Sequence, residues 1–262
     1  MGIITYNEEQ LNLMRQSGKI LSGCLSVLKA AIKPGISTLE LDQMAEKYIR
    51  DNGGEPSFKG YSGYEFSICT SVNEGAIHCR PSADKILREG DIITVDIGVR
   101  FGGMCTDAAR TWGVGKISDE AQRLINATEQ CFTEAIRGLK AMSKVGDIGA
   151  RIEKYITENT TYSIIEQYCG HGIGEKPHQD PLIPNFVPRK ILGSGRLRES
   201  TRMRLPAGCA IAIEPMINEG VKEVVLDADR WSTRTADGKL SCHYENTLII
   251  LDDGVEVVTV DN

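Results

Sequence analysis

The chain has 262 residues, is 41% hydrophobic and 25% charged, and carries a formal net charge of -6. That length supports one large domain or two small ones and buries a sizeable core without covalent staples. The acidic balance argues against general nucleic-acid affinity while leaving room for a local basic patch, and no apolar run approaches the ~18 residues that a bilayer span needs.

The eight cysteines, at positions 24, 69, 79, 105, 131, 169, 209 and 242, include no Cys-x-x-Cys pair. This excludes a zinc ribbon or finger of the usual spacing. With no secretory signal at the N-terminus, reduced thiols and a cytoplasmic location are expected. Met1-Gly2 does not complete a myristoylation signal, because Tyr6 stands where Ser or Thr is required.

Asn7-Glu8-Glu9-Gln10 reads as a capping box that opens a helix running to about Ile32, with Leu11, Met14, Ile20 and Leu21 inward. Thr38 caps a second predicted helix that carries Leu39, Leu41, Met44, Ala45 and Ile49, and Asn52-Gly53-Gly54 ends it. From Phe58 to His78 the pattern is glycine-rich loop with short strands. Ile93 to Asp107 then reads as a hairpin reversing at Phe101-Gly102-Gly103, with Thr111 to Val114 extending its second arm. A helix from Ser118 to about Met142 and another from about Ile148 to Asn159 follow. Apolar strands are predicted at Ala210 to Met216, Cys242 to Ile250 and Val255 to Val260.

The second helical pair echoes the first. Leu28 to Gly35 resembles Leu139 to Gly146, and each leads into the tetrapeptide Glu-Lys-Tyr-Ile at 46–49 and 153–156, with spacings that differ by four residues. Duplication and shared helical composition both explain this. Duplication would bring two halves face to face around one site.

Several polar residues stand where apolar ones belong. A turn centred on Phe101-Gly102 would set Asp96 and Asp107 opposite each other, either as solvated edge residues or as a pair around a cation. Glu214 and Glu245 each interrupt an apolar strand, and His171 sits in the glycine-bracketed turn Gly170-His171-Gly172-Ile173-Gly174. Four carboxylates cannot share a dry interior as anions, whereas two divalent ions would nearly balance them. Oxygen-rich ligation with one imidazole suits Mn(II), Fe(II), Co(II) or Zn(II). His243, two residues before Glu245, shares its strand face, as a hydrogen-bonding neighbour of that site or as a packed core residue.

These segments, with Ser71 to His78, His178, Ile213-Glu214-Pro215-Met216 and Tyr244-Glu245-Asn246-Thr247, occur in an order that resembles the type I methionine aminopeptidases over nearly the whole chain. The resemblance implies an α/β (α+β) pita-bread fold, pseudo-twofold, with a central antiparallel curved sheet flanked by helices. It implies a single catalytic domain, 1–262, with halves at about 1–115 and 116–262. Two divalent metal ions (Co, Mn, Fe or Zn) would be held by Asp96, Asp107, His171, Glu214 and Glu245. Asp107 and Glu245 would bridge them, with Asp96 on one ion and His171 and Glu214 on the other. Glu214 would move the proton of an activated water, His178 would contact the developing oxyanion, and His78 would contact the substrate amide.

The same resemblance maps the methionine side-chain pocket onto Phe58, Tyr61, Tyr64, Cys69, His78 and Trp231, with His178 also touching substrate. Two departures stand out. Phe58 replaces a smaller residue, and Pro177 replaces a bulky one before the second histidine. The implied activity is removal of initiator methionine from nascent polypeptide N-termini with a small second residue, by a monomeric enzyme with no membrane partner. A proline-directed peptidase of the same fold uses a similar ligand set. Glu214-Pro215-Met216, Glu245-Asn246-Thr247, Trp231 and the short N-terminus favour the methionine branch. An inactive peptide- or ribosome-binding module would be expected to lack a ligand, and all five are filled. Finally, the insertion at about 185–207 carries Arg189, Lys190, Arg196, Arg198, Arg202 and Arg204 against Glu199. It is either a solvated basic loop or a contact for ribosomal RNA near the tunnel exit.

Overall fold

A computed structural model describes residues 2–189 and 195–260. Helix α1 (Glu8–Ala31) opens with the expected capping box: the Gln10 amide donates to Asn7 Oδ1 at 2.9 Å and the Asn7 amide to Gln10 Oε1 at 3.1 Å. Helix α2 (Thr38–Asp51) differs from expectation at its start, because Ser37 is the cap and Glu40 its reciprocal partner. Thr38 is engaged elsewhere. Its hydroxyl donates to the Ser82 carbonyl at 3.1 Å and accepts from the Ser82 amide at 2.9 Å.

Strands β1 (Glu55–Pro56), β2 (Ile68–Val72) and β3 (Gly75–Ile77) precede the long hairpin of β4 (Ile92–Phe101) and β5 (Met104–Gly113). The buried Asp42 side chain of α2 accepts from the Ser67 and Ile68 amides at 2.7 and 3.1 Å, which fixes the start of β2. Helix α3 (Asp119–Ile136) stops short of Met142. Gly138 takes φ +66°, and the Ala141 and Met142 amides are taken up by the carbonyls of Leu251 and Leu205 at 2.9 and 2.7 Å. Helix α4 (Val145–Asn159) begins three residues early for a matching reason. Carbonyls of Met203 and Thr201 satisfy its first two amides at 3.0 and 3.1 Å.

The second half of the chain continues with β6 (Ser163–Ile164), β7 (Gly170–Gly172), β8 (Gln179–Ile183) and the short helix α5 (Gly195–Ser200). It closes with β9 (Ala210–Ile213), β10 (Met216–Asn218), β11 (Val224–Leu226), β12 (Thr233–Thr235), β13 (Ser241–His243), β14 (Asn246–Ile250) and β15 (Val255–Val257). The last strand is shorter than predicted. The basic segment thus contains α5, and Lys190 lies outside the described residues.

Pairing among the described strands is antiparallel throughout. A four-stranded sheet has β4 against β1, β2 and β5, and a five-stranded sheet runs β15-β14-β9-β7-β8. Two three-stranded sheets, β13-β10-β6 and β11-β12-β3, lie beside them. The expected antiparallel architecture is present as two sheets whose link includes a backbone bridge, in which the Glu245 amide donates to the Ala109 carbonyl of β5 at 3.0 Å and the Ala109 amide to the Glu245 carbonyl at 3.4 Å. Apolar packing divides in the same way. Leu21, Leu25, Leu28, Leu41 and Ile49 cover Ile93, Val95, Ile97 and Val99, whereas Leu124, Phe132, Ile148 and Ile152 cover Ile211, Ile213, Leu248 and Ile250.

Candidate active site

The hairpin turn is centred on Gly102 and Gly103, not on Phe101-Gly102. Both glycines take positive φ, +57° and +86°, the conformation a two-residue reversal demands. Phe101 consequently pairs with Met104, Asp96 with Ala109, and Asp107 with Gly98. The two aspartates are diagonal neighbours on one face rather than directly opposite. Both are buried, at 7% and 3% exposure, which removes the reading of solvated edge residues.

Glu214 and Glu245 do not interrupt strands. They occupy the breaks between β9 and β10 and between β13 and β14, where the chain steps between the five-stranded sheet and a three-stranded one. Pro215 has no N–H for a ladder, and its carbonyl accepts from the Tyr244 amide at 3.2 Å, so the two breaks face each other. Each break turns a carboxylate inward instead of continuing the alternation. The Asn185 side chain donates from Nδ2 to the Glu214 carbonyl at 2.9 Å.

His171 lies in β7 and is 6% exposed. Its Nδ1–H donates to the Gly172 carbonyl at 3.0 Å, so the Nε2 lone pair is free and points toward Glu214 Oε1 at 3.5 Å. Its ring lies 4.4 Å from that of His178, which in turn sits 5.1 Å from Tyr61. His78 follows β3 at φ +59°, a left-handed conformation that costs a non-glycine residue about 1–2 kcal/mol. Its ring packs edge-on to Tyr168 at 5.4 Å.

Burial raises the carboxyl pKa values of Asp107, Glu214 and Glu245 well above the usual range, and neighbouring carboxylates raise them further. Asp96 is also raised by burial, against a hydrogen bond with Asp107 that lowers it. Burial lowers His171 to about 3 and His78 to about 4, with His178 adding to both. Neutral imidazoles beside acidic oxygens are what a cation site requires before it is filled.

The donor set fits a divalent cation. Asp96 Oδ1, Asp107 Oδ1 and Glu245 Oε1 are buried with no hydrogen-bond partner. Ligand atoms converge within 4.8 Å of one another in three overlapping groups: Asp107 with His171 and His178, His171 with Glu214 and Glu245, and Asp96 with His243 and Glu245. The last two of these groups share Glu245, and the first two share His171.

One cavity of about 220 Å³ gathers every site residue expected from sequence: Phe58, Tyr61, Tyr64, Cys69, His78, Asp96, Asp107, His171, His178, Glu214, Trp231 and Glu245. Phe58, Tyr64 and Cys69 are buried, Trp231 half-buried, and Tyr61 exposed at the rim. Tyr64 meets Trp231 edge-on at 4.9 Å. The Phe58 ring lies over Gly98, where an added Cβ would come within 2.5 Å of Cε1. Pro177 is buried but does not line the cavity.

Sequence reasoning missed Arg110, Tyr168 and Cys169. Arg110, 2% exposed, donates to the carbonyls of Glu245 (2.6 Å), Ala109 (3.0 Å) and Thr259 (2.9 Å) and to Asn246 Oδ1 (2.8 Å). It also lies over the Tyr244 ring at 4.4 Å. An arginine inside the buried Thr106 to Trp112 segment was the available signal. Thr247 completes the support: its hydroxyl accepts from the Asp107 amide at 2.8 Å and donates to the Asp107 carbonyl at 2.9 Å.

A buried acidic cluster at the junction of two sheets, opening into an aromatic pocket, defines a metallohydrolase with a side-chain-selective cavity. Residues 12–252 match the model of metallopeptidase family M24. Full-length relatives include methionine aminopeptidase of Clostridium perfringens, 44% identical over 98% of this chain and 99% of the relative. Methionine aminopeptidase 1 of Bacillus subtilis is 40% identical over 98% and 99% of the two chains. A crystal structure of methionine aminopeptidase from Thermotoga maritima superposes with a TM-score of 0.91, at 31% identity, covering 98% of this chain and 99% of that one. The chain belongs to metallopeptidase family M24, on its methionine aminopeptidase branch.

Proposed function

We propose that this chain hydrolyses the first peptide bond of polypeptides that begin with methionine, with nascent chains bearing a small second residue as substrates. The observation that carries the reading is the single cavity in which the acidic cluster meets the aromatic pocket. A thioether is soft and polarisable, which suits walls of Tyr64, Trp231, Phe58 and Cys69. Full-length relatives that are methionine aminopeptidases support it.

Asp96, Asp107, His171, Glu214 and Glu245 would hold two divalent ions, with Asp107 and Glu245 shared. When bound, such ions acidify a water and polarise the scissile carbonyl. Glu214 would accept the proton of the attacking water and deliver it to the leaving amine. His178, at the cavity rim beside His171, would donate to the developing oxyanion, a contact typically worth ~3 kcal/mol. His78 would contact the amide of the second residue, its ring held by Tyr168.

The chain organisation forms part of the same reading. Halves of about 1–115 and 116–262 are supported by the two separately packed cores. A cytoplasmic location is supported by eight free cysteines, and no described helix is long and apolar enough to cross a membrane. A transient ribosome contact through Arg189 to Arg204 is supported by the charge of that segment. Charge reversal there should reduce ribosome co-sedimentation, and unchanged co-sedimentation would remove the idea.

The activity is tested with metal-free protein reloaded with Mn(II) or Co(II) and offered Met-Gly-Met, Met-Leu and Xaa-Pro peptides. Cleavage of Met-Gly-Met with little of Met-Leu is the expected result. Cleavage of Xaa-Pro alone would move the assignment to a proline-directed peptidase.

A further inference from the structure

His243 is 1% exposed, and neither ring nitrogen has a hydrogen-bond partner. A buried imidazole without partners forfeits its solvation, so its surroundings must supply a reason for it. They do. Nε2 lies 3.6 Å from Glu214 Oε2 and 3.7 Å from Glu245 Oε2. Glu214 Oε1, the other oxygen of the same carboxylate, faces His171 Nε2 at 3.5 Å. The Glu214 carboxylate therefore lies between two imidazoles, one lining the cavity and one behind it, since His243 is absent from the cavity wall.

The ring is well anchored. The His243 amide donates to Thr111 Oγ1 at 3.1 Å, and the Thr111 hydroxyl lies 2.9 Å from the His243 carbonyl. β13 pairs with β10 at His243 opposite Met216. The residue thus joins both carboxylate-bearing breaks at one point. A movement of less than ~1 Å brings either carboxylate oxygen to hydrogen-bond distance of Nε2.

We propose that His243 is a positioning residue, donating from Nε2–H to the outward oxygens of Glu214 and Glu245 and so fixing the direction in which their inward oxygens face the ion site. This rests on the reading that these carboxylates hold divalent ions. The donor orients the acidic groups before an ion arrives, and it contacts neither substrate nor reacting atoms.

The experiment is a Co(II) titration of the metal-free full-length chain against a chromophoric chelator, with the visible spectrum of the bound ion recorded. His243→Leu removes the donor, and His243→Asn carries its amide short of the Nε2 position. Both should bind Co(II) roughly 10–100-fold more weakly, with an altered spectrum. His243→Gln, whose amide reaches the Nε2 position, should restore affinity to within about 3-fold and return the spectrum. Circular dichroism of the chelated proteins establishes that each variant is folded, and His243→Asn keeps the test open should His243→Leu not fold. Unchanged affinity and spectrum in a folded His243→Leu or His243→Asn would overturn the proposal, as would a His243→Gln no better than His243→Leu. Failure of the unsubstituted chain to bind Co(II) would overturn the metal reading itself, an outcome distinct from these.

Discussion

Asp107 is constrained through both its backbone and its side chain. Its backbone is held on both sides by Thr247, and its side chain is buried among three other carboxyl groups. Asp107→Ala removes an acid whose charged form is disfavoured in the metal-free chain, so folding should survive while metal-dependent hydrolysis falls by at least about 10³-fold. Full activity in that variant would sink the ligand assignment. Arg110 is the opposite case, a support without chemistry. Replacing it with Met strands the carbonyls of Glu245 and Thr259 and should cost roughly 3 kcal/mol of stability. Urea unfolding measures this, and an unchanged midpoint would show that Arg110 does not hold the two sheets together. The acidic residues were legible in sequence because charge in an apolar strand is conspicuous. Arg110 was equally conspicuous, but three of its acceptors are the backbone carbonyls of Ala109, Glu245 and Thr259, which a sequence does not display.

At the scale of elements, sequence reading succeeded where local chemistry decides and failed where distant backbone does. The α1 capping box and the existence of the hairpin were legible. The α3 and α4 boundaries were not, because amides at 141, 142, 145 and 146 are taken by Leu251, Leu205, Met203 and Thr201. The hairpin register shifted because the turn needs two left-handed residues, which Gly102-Gly103 supplies and Phe101-Gly102 does not. The breaks at Glu214 and Glu245 are not visible in sequence, since strand-forming residues stand on both sides of each: Ile211 to Ile213 and Met216-Ile217 around one, Tyr244 and Thr247 to Ile250 around the other. Gly18 of α1 offers a test of packing against propensity. A Cβ there would lie 2.0 Å from the Val258 carbonyl oxygen. Alanine gains about 1 kcal/mol of helix propensity, but the clash costs about 1–3 kcal/mol, so Gly18→Ala should lower the unfolding midpoint. A higher midpoint would contradict the close seating of α1 on the C-terminal segment.

For the whole molecule, the acidic cluster couples metal, pH and stability. In the metal-free chain Asp96, Asp107, Glu214 and Glu245 have raised pKa values, so above about pH 4 these four groups hold more protons in the folded state than in the unfolded state. Their contribution to the stability of the metal-free protein is therefore fully present at low pH and lost as pH rises through the raised folded values, whereas His78, His171, His178 and His243, lowered by burial, contribute stability above about pH 6.5 that is lost as pH falls through their folded values. A divalent ion held by the four carboxyl groups would take the place of their protons and bind better as they leave. The difference in Tm between Mn(II)-loaded and chelated protein should widen from pH 5 toward pH 8. A difference independent of pH would mean that these carboxyl groups do not exchange protons for metal.

The metal-linked expectations depend on the chain being a metal-dependent methionine aminopeptidase, and release of free methionine from Met-Gly-Met, followed as metal is added back to chelated protein, tests that most directly. The predicted result is no release without metal and an activity that rises with added Mn(II) or Co(II) to a plateau by two equivalents. Release undiminished by chelator, or none at any metal loading, would contradict it.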